Sequence, residues 1–178
     1  MPRFDRHEFL TEAGPMDDAK LQYLLDRAEI SDVQLRYATG LDSRDWKLFR
    51  SCFADEIETD FTSVFGGTPR KLTGDKWADA ARRTLTGLAA TQHMITNHLI
   101  TIDGDNATCI AYVRAHHYLP NESGDNTQTM VGYYTNHFIR TKDGWKIKKC
   151  KLSISWNSGN WHIFTLATQR MKAAEQQN

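Results

Sequence analysis

The stretch TQHMITNHLITIDGDNATCIAYVRAHHYL, residues 91–119, reads as two strands joined by a hairpin turn, and the rest of the chain is placed from it. Residues 91–102 and 108–119 are rich in Thr, Ile, Val and Tyr, and Asp103-Gly104 between them suits the positive backbone angles of a tight turn. Two further runs follow, Gln128–Arg140 and Trp145–Trp156, separated by a second such dipeptide, Asp143-Gly144; Pro120 to Asn126 is a polar loop. Four consecutive antiparallel strands are expected.

Upstream the period changes. Up to Pro15 the chain is irregular; Met16-Asp17-Asp18 then opens a helical pattern through Leu21, Leu24, Leu25, Ala28, Ile30, Val33, Leu35 and Tyr37 to about Thr39, with Gly40 as its stop. Ser43 caps a short second helix that buries Trp46, Leu48 and Phe49, which leaves Asp42 at the corner. Residues 56–65 alternate as a strand that Gly66-Gly67-Thr68-Pro69 ends, and Thr73 or Asp75 starts a helix through Trp77, Ala80, Ala81, Leu85 and Leu88. Residues 163–171 form a last helix.

This order gives an α+β fold. A strongly curved, mixed but mainly antiparallel sheet wrapped around the N-terminal helices predicts a cone-shaped barrel whose inner face takes every second side chain. No repeat or linker divides the chain, so residues 1–178 read as one domain, with 1–15 an irregular arm and 157–178 a segment near the cavity mouth.

Composition narrows the function. The 22 Lys plus Arg balance 22 Asp plus Glu, and no block of like charge marks a nucleic-acid arm. Residues 1–9 mix Arg3, Asp5, Arg6, His7 and Glu8 and are not read as a signal peptide, and no run of about 18 apolar residues marks a membrane span. A soluble, cytoplasmic protein is expected. Cys52, Cys109 and Cys150 share no CxxC spacing and read as buried apolar residues.

On the strand 108–119, Ala111, Val113, Ala115 and His117 form one face and Ile110, Tyr112, Arg114 and His116 the other. The small members of the first set suit a cavity lining, so His117 is preferred to His116. On the next strand Met130, Gly132 and Tyr134 share a face, where Gly132 would leave room for a substrate beside a phenol. The opposite face, with Tyr112, Arg114, His116, Tyr133, Thr135 and His137, is broad, aromatic and polar, and a homodimer across a two-fold axis is expected from it.

An aspartate beside a histidine fixes one imidazole nitrogen as donor and leaves the other to accept a proton near neutrality. Asp42 and a strand histidine would form such a pair; equally, Asp42 would serve as a helix cap and His93 as a hydrogen-bonded residue at a strand start. Metal sites fit less well. His93 and His98 are five apart on a strand, and His116 and His117 are adjacent, so alternation separates each pair. With no phosphate loop, dinucleotide fingerprint or nucleophile elbow, neither metal nor cofactor is expected.

Three motifs in order, residues 30–37 followed by Gly40-Leu41-Asp42 and Trp46, residues 92–97 before 100–103, and Gly132-Tyr133-Tyr134-Thr135 before Asp143-Gly144-Trp145-Lys146-Ile147, resemble the SnoaL-like branch of the nuclear-transport-factor-2-like fold. That branch includes scytalone dehydratase, lindane dehydrochlorinase and bile-acid dehydratase, and the resemblance covers roughly residues 18–156. It implies catalytic roles for Tyr37, Asp42 and His93, a second histidine at His117, and a basic residue on the last strand for which Lys149 is nearest. The tyrosine pair of scytalone dehydratase is not reproduced, since Leu41 precedes Asp42 and Phe61 stands near the other position.

The implied activity is cofactor-independent elimination of water from a cyclic, mostly apolar hydroxylated compound. His93, oriented by Asp42, would remove the proton, and Tyr37, Tyr134 or His117 would protonate or hydrogen-bond the departing hydroxyl. The substrate would be an apolar or aromatic ring held by Phe61, Leu85, Val113, Ala115, Met130, Gly132, Tyr134, Lys149 and Phe164. Isomerisation or polyketide-type cyclisation would use the same pair, and a binding module or small structural subunit, as in ring-hydroxylating dioxygenases, would use the same fold.

Overall fold

The computed structural model describes residues 17–176, so the expected arm at 1–15 lies outside the described residues. Asp17 caps helix α1 (Asp18–Ser43), its carboxylate accepting from the Ala19 amide at 3.1 Å. The helix runs through Gly40 instead of stopping there. A side chain at Gly40 would collide with the backbone of Phe49 on α2 (Trp46–Ser51), so this glycine permits close helix packing and is not a terminator. Arg44 ends α1 in the left-handed conformation, and Asp45, not Ser43, caps α2 by accepting from the Leu48 amide at 2.8 Å. Asp42 therefore sits inside the last turn of α1.

Then come β1 (Phe53–Asp60), α3 (Thr62–Phe65), β2 (Arg70–Thr73), α4 (Gly74–Leu85), β3 (Ala90–Asp103), β4 (Asn106–Tyr118), β5 (Thr127–Thr141), β6 (Gly144–Gly159) and α5 (His162–Glu175). The run read as one strand over 56–65 is divided. Asp60 accepts from the amide and hydroxyl of Thr62, a local bond that turns the chain into α3. Strands β3 to β6 form the expected meander, with Gly104 and Gly144 at positive φ in two of its turns.

The sheet order is β2-β1-β6-β5-β4-β3, with β1 parallel to β6 and the other neighbours antiparallel. It is an open mixed sheet, not the strongly curved, cone-shaped barrel expected from the sequence. A barrel needs its edge strands paired. Here the edges β2 and β3 stand at opposite ends of the order, and β2 has four residues, all paired to β1. Helix α1 packs against β3 and β6.

The core lies between sheet and helices. Ala111, Val113, Ala115 and His117 of β4 are buried with Tyr134 and Phe138 of β5, Ile147, Cys150 and Leu152 of β6, and Ile30, Val33, Tyr37 and Leu41 of α1. Each such large apolar side chain contributes about 1.5–3 kcal/mol. All three cysteines are buried and free. At the far end of α1, Asp26 accepts two bonds from the Arg140 guanidinium, at 2.6 and 2.7 Å, and a third from Trp145 Nε1 at 3.0 Å. That bidentate grip fixes the helix along its length to β5 and β6. Among the described residues no helix is long and apolar enough to cross a membrane.

Candidate active site

The last turn of α1 and the start of β3 meet at Asp42. Its Oδ1 lies 2.7 Å from His93 Nδ1, and its Oδ2 accepts the His93 backbone amide at 2.7 Å. Thr91, two residues before His93 and so on the same face, donates its hydroxyl to Oδ1 at 2.9 Å. The His93 side chain is 5 % exposed and that of Asp42 24 %. Burial pushes the Asp42 carboxyl up, but the His93 ring, the His93 amide and Thr91 together hold it below the usual carboxylate range. With Nδ1 committed to a carboxylate, His93 Nε2 is the basic nitrogen, and it carries no hydrogen bond from the described residues.

The His117 ring stands edge-on to His93, centroids 5.6 Å apart, and edge-on to Phe164 of α5 at 4.9 Å. His117 Nδ1 has two oxygens of Gln128 within reach, the side-chain Oε1 at 3.1 Å and the backbone carbonyl at 3.2 Å. Two acceptors at Nδ1 require the proton there and leave Nε2 as a lone pair. Burial, helped by the neighbouring His93 ring, pushes the His117 pKa down to about 4, so this ring is neutral at pH 7. His116 points away and meets Thr129 Oγ1 at 2.7 Å.

On the same inner face the buried Tyr37 hydroxyl donates to the buried Tyr134 hydroxyl at 3.2 Å, so the Tyr134 proton is not used within this pair. Burial raises both phenols, Tyr37 well above the ordinary value, so both remain neutral donors. Burial likewise lifts the Cys150 thiol beside Tyr37 to about 12, which leaves it inert as a nucleophile.

The other expected lining residues divide. His93, Ala115 and Met130 are register neighbours across β3, β4 and β5, with Ile95, Val113 and Gly132 in the next row but one. Leu85 is buried at the end of α4, while Phe61 packs on Trp77 at 4.9 Å between ring centroids. Gly132 faces backbone: a β-carbon there would strike the Ser153 carbonyl of β6. Lys149 lies on the sheet face opposite the buried Cys150 and pairs with Glu58 at 2.8 Å, so it is not brought to the pair.

His93 and His98 both face α1, against the expectation from alternation. A register shift between Thr96 and Leu99, with Asn97 at φ 57, adds one residue and returns His98 to the helix side, where it bonds Ser31. Among the described residues no group of three or more His, Cys, Asp or Glu is placed to hold a metal ion. Sequence reading missed Thr91 and Gln128. The alternation from His93 marks the first, and the β4–β5 register, which sets Gln128 opposite His117, marks the second.

An open groove of about 510 Å³ runs between α1 and edge strand β3, with Leu35, Thr39, Met94 and Thr96 along it and Asp42 and His93 in its wall. It gives a ligand an approach to the pair from the sheet edge.

Residues 22–151 match the family model for a SnoaL-like domain. The chain is 26% identical over 125 residues to the uncharacterised protein Rv2910c of Mycobacterium tuberculosis, an alignment covering 68% of this chain and 80% of that one. Among solved structures it is similar to the Kfla4162 protein from Kribbella flavida, with 37% identity, a TM-score of 0.76, and coverage of 80% of this chain and 99% of that one. It shares its fold with the hexachlorocyclohexane dehydrochlorinase LinA-type3 from Novosphingobium barchaimii LL02, at 19% identity and a TM-score of 0.67 over 80% of this chain and 94% of that one.

Proposed function

The chain belongs to the SnoaL-like domain family, and from that membership we propose that it is a lyase that eliminates water from a cyclic, mostly apolar hydroxylated compound by acid/base chemistry, without a cofactor. The observation that carries this reading is the Asp42–His93 pair at 2.7 Å, held at the base of a largely apolar inner face. A dehydrochlorinase on the same fold performs an elimination on a six-membered ring, which is the reaction class the pair suits.

His93 Nε2 removes a proton from a ring carbon next to an activating carbonyl, and Asp42 offsets the charge that the imidazole gains. The C–H electrons form the double bond as the C–O bond breaks. The departing oxygen leaves as water after taking a proton from a neutral donor. Tyr134, backed by Tyr37, is the donor on this face, because His117 is neutral with its one N–H turned to Gln128. Leu35, Ala38 and Ile95, which line the groove with His93, give the ring an apolar bed.

The test is a screen of hydroxylated steroids, polyketide rings and small terpenoids, read by product mass with His93→Ala as control. Loss of one water that vanishes in the control supports a dehydratase. Turnover with unchanged mass replaces elimination with isomerisation or cyclisation. Turnover that survives in His93→Ala removes the pair from the mechanism.

A further inference from the structure

We propose that Arg44 is a positioning residue for the Asp42–His93 pair: its guanidinium commits the Thr91 hydroxyl to donating to Asp42, and thereby fixes which nitrogen of His93 carries the proton. The proposal rests on the catalytic reading of that pair.

Two independent observations point to Arg44. The first is its backbone, at φ 61 and ψ 23 in the left-handed region that glycine enters freely and a residue with a β-carbon enters at a cost. The cap itself does not need an arginine. Its bond, from the Arg44 amide to the Leu41 carbonyl at 3.3 Å, uses backbone alone and is open to glycine. A strained arginine where glycine would serve directs attention to its side chain.

The second is what that side chain reaches. Nη1 donates to the Leu41 carbonyl at 2.5 Å and to Thr91 Oγ1 at 2.7 Å. A threonine hydroxyl has one proton and two lone pairs. Once the guanidinium occupies a lone pair, the proton is directed to Asp42 Oδ1 at 2.9 Å. The Asp42 carboxylate then receives three donors: the Thr91 hydroxyl and His93 Nδ1–H on Oδ1, and the His93 amide on Oδ2. A carboxylate so filled stays ionised and can only accept, which leaves His93 a single neutral tautomer with Nε2 free. The half-buried Arg44 also supplies a positive charge close to Asp42.

The test uses the full chain with labelled histidine and needs no substrate. The variants are Arg44→Gly, Arg44→Lys and Thr91→Val, followed by nuclear magnetic resonance of the His93 ring and by thermal melting. Wild type should show one Nδ1–H tautomer with slow proton exchange. Arg44→Gly should melt at or above the wild-type temperature, since the strained conformation suits glycine, yet exchange the Nδ1 proton about tenfold faster, the factor for loss of one hydrogen bond. Arg44→Lys should recover part of that protection, and Thr91→Val should lose it from the strand side. Unchanged exchange in Arg44→Gly, or in Thr91→Val where the glycine variant fails to fold, makes Arg44 a stitch of the helix corner and overturns the proposal. A fixed tautomer in a chain whose His93→Ala variant keeps full turnover sinks the dehydratase reading alone.

Discussion

Asp42 grips His93 at two points, one oxygen 2.7 Å from the ring Nδ1 and the other accepting the backbone amide at 2.7 Å. A single bond would let the imidazole swing about Cβ. The second bond fixes the strand that carries the ring, so ring and backbone are referred to one carboxylate. Because Asp42 is in the last turn of α1 and β3 is an edge of the sheet, this pair is also where the helix is fastened to the edge.

Asp42→Asn preserves shape and removes that arrangement. An amide presents one acceptor and one donor group, while Asp42 receives three donors, so the substitution turns an N–H toward Thr91, the His93 ring or the His93 amide. The histidine then loses both its fixed tautomer and its counter-charge. Turnover of a substrate found by the mass screen should fall by about 10²–10⁴, the range for a general acid/base group, with His93→Ala falling as far. Full activity in either folded variant would remove the pair from the chemistry.

His117 should leave its mark on stability as a function of pH. Its folded pKa of about 4 lies below the ordinary 6.5, because burial and the neighbouring His93 ring outweigh the two Gln128 acceptors. The unfolded chain therefore binds this proton more readily, and stability is full above about 6.5 and erodes as pH falls toward 4. Melting temperatures for His117→Gln should decline less steeply across that interval than those of wild type. His98 and His137, also lowered by burial, keep part of the slope. Parallel curves for variant and wild type would show that His117 does not titrate in this way.

How much the sequence disclosed follows from how local each determinant is. Strands β3 to β6 were legible because a two-residue period and the Asp103-Gly104 and Asp143-Gly144 turns are written within a few residues. The openness of the sheet was not, since it depends on β2, four residues with no alternating pattern, pairing among the described residues with β1 alone. Asp42 and His93 are separated by 51 positions, and no spacing rule joins them; only the family resemblance placed them together. Lys149 was misplaced for a different reason. Which face a strand residue takes is settled by its neighbours, and buried Cys150 beside it turns Lys149 outward to Glu58.

The Asp26–Arg140 fork makes a separate prediction about acid. The Arg140 bonds, against the opposing effect of burial, hold the Asp26 pKa at about 2 in place of the ordinary 3.8. The stability this contributes is complete above 3.8 and is lost as pH falls through 2. Asp26→Asn should cost toward the low end of about 3–5 kcal/mol at neutral pH, since Arg140 is partly solvated, and the gap from wild type should narrow on acidification below pH 4 or so. A gap that stays constant down to pH 2 would mean that packing, not the ion pair, accounts for the loss.

Gly132→Ala separates two accounts of one residue. If the glycine exists to leave room for a ring beside Tyr134, alanine should narrow the site, raise KM and leave the melt alone. The geometry gives a different result. The new β-carbon would meet the Ser153 carbonyl and lie 3.0 Å from Ile154 Cα, both backbone atoms of β6 that cannot rotate away. Gly132 also adjoins a register shift, where β6 carries Ser155 as an extra residue between the partners of Val131 and Gly132, so the strands already approach closely there. Relief requires β5 and β6 to separate, at a cost of about 1–3 kcal/mol for an overpacked position. Denaturant unfolding should report that loss with an unchanged slope, while KM shifts only as far as Tyr134 is displaced. A variant with wild-type stability and a raised KM would return Gly132 to the cavity wall.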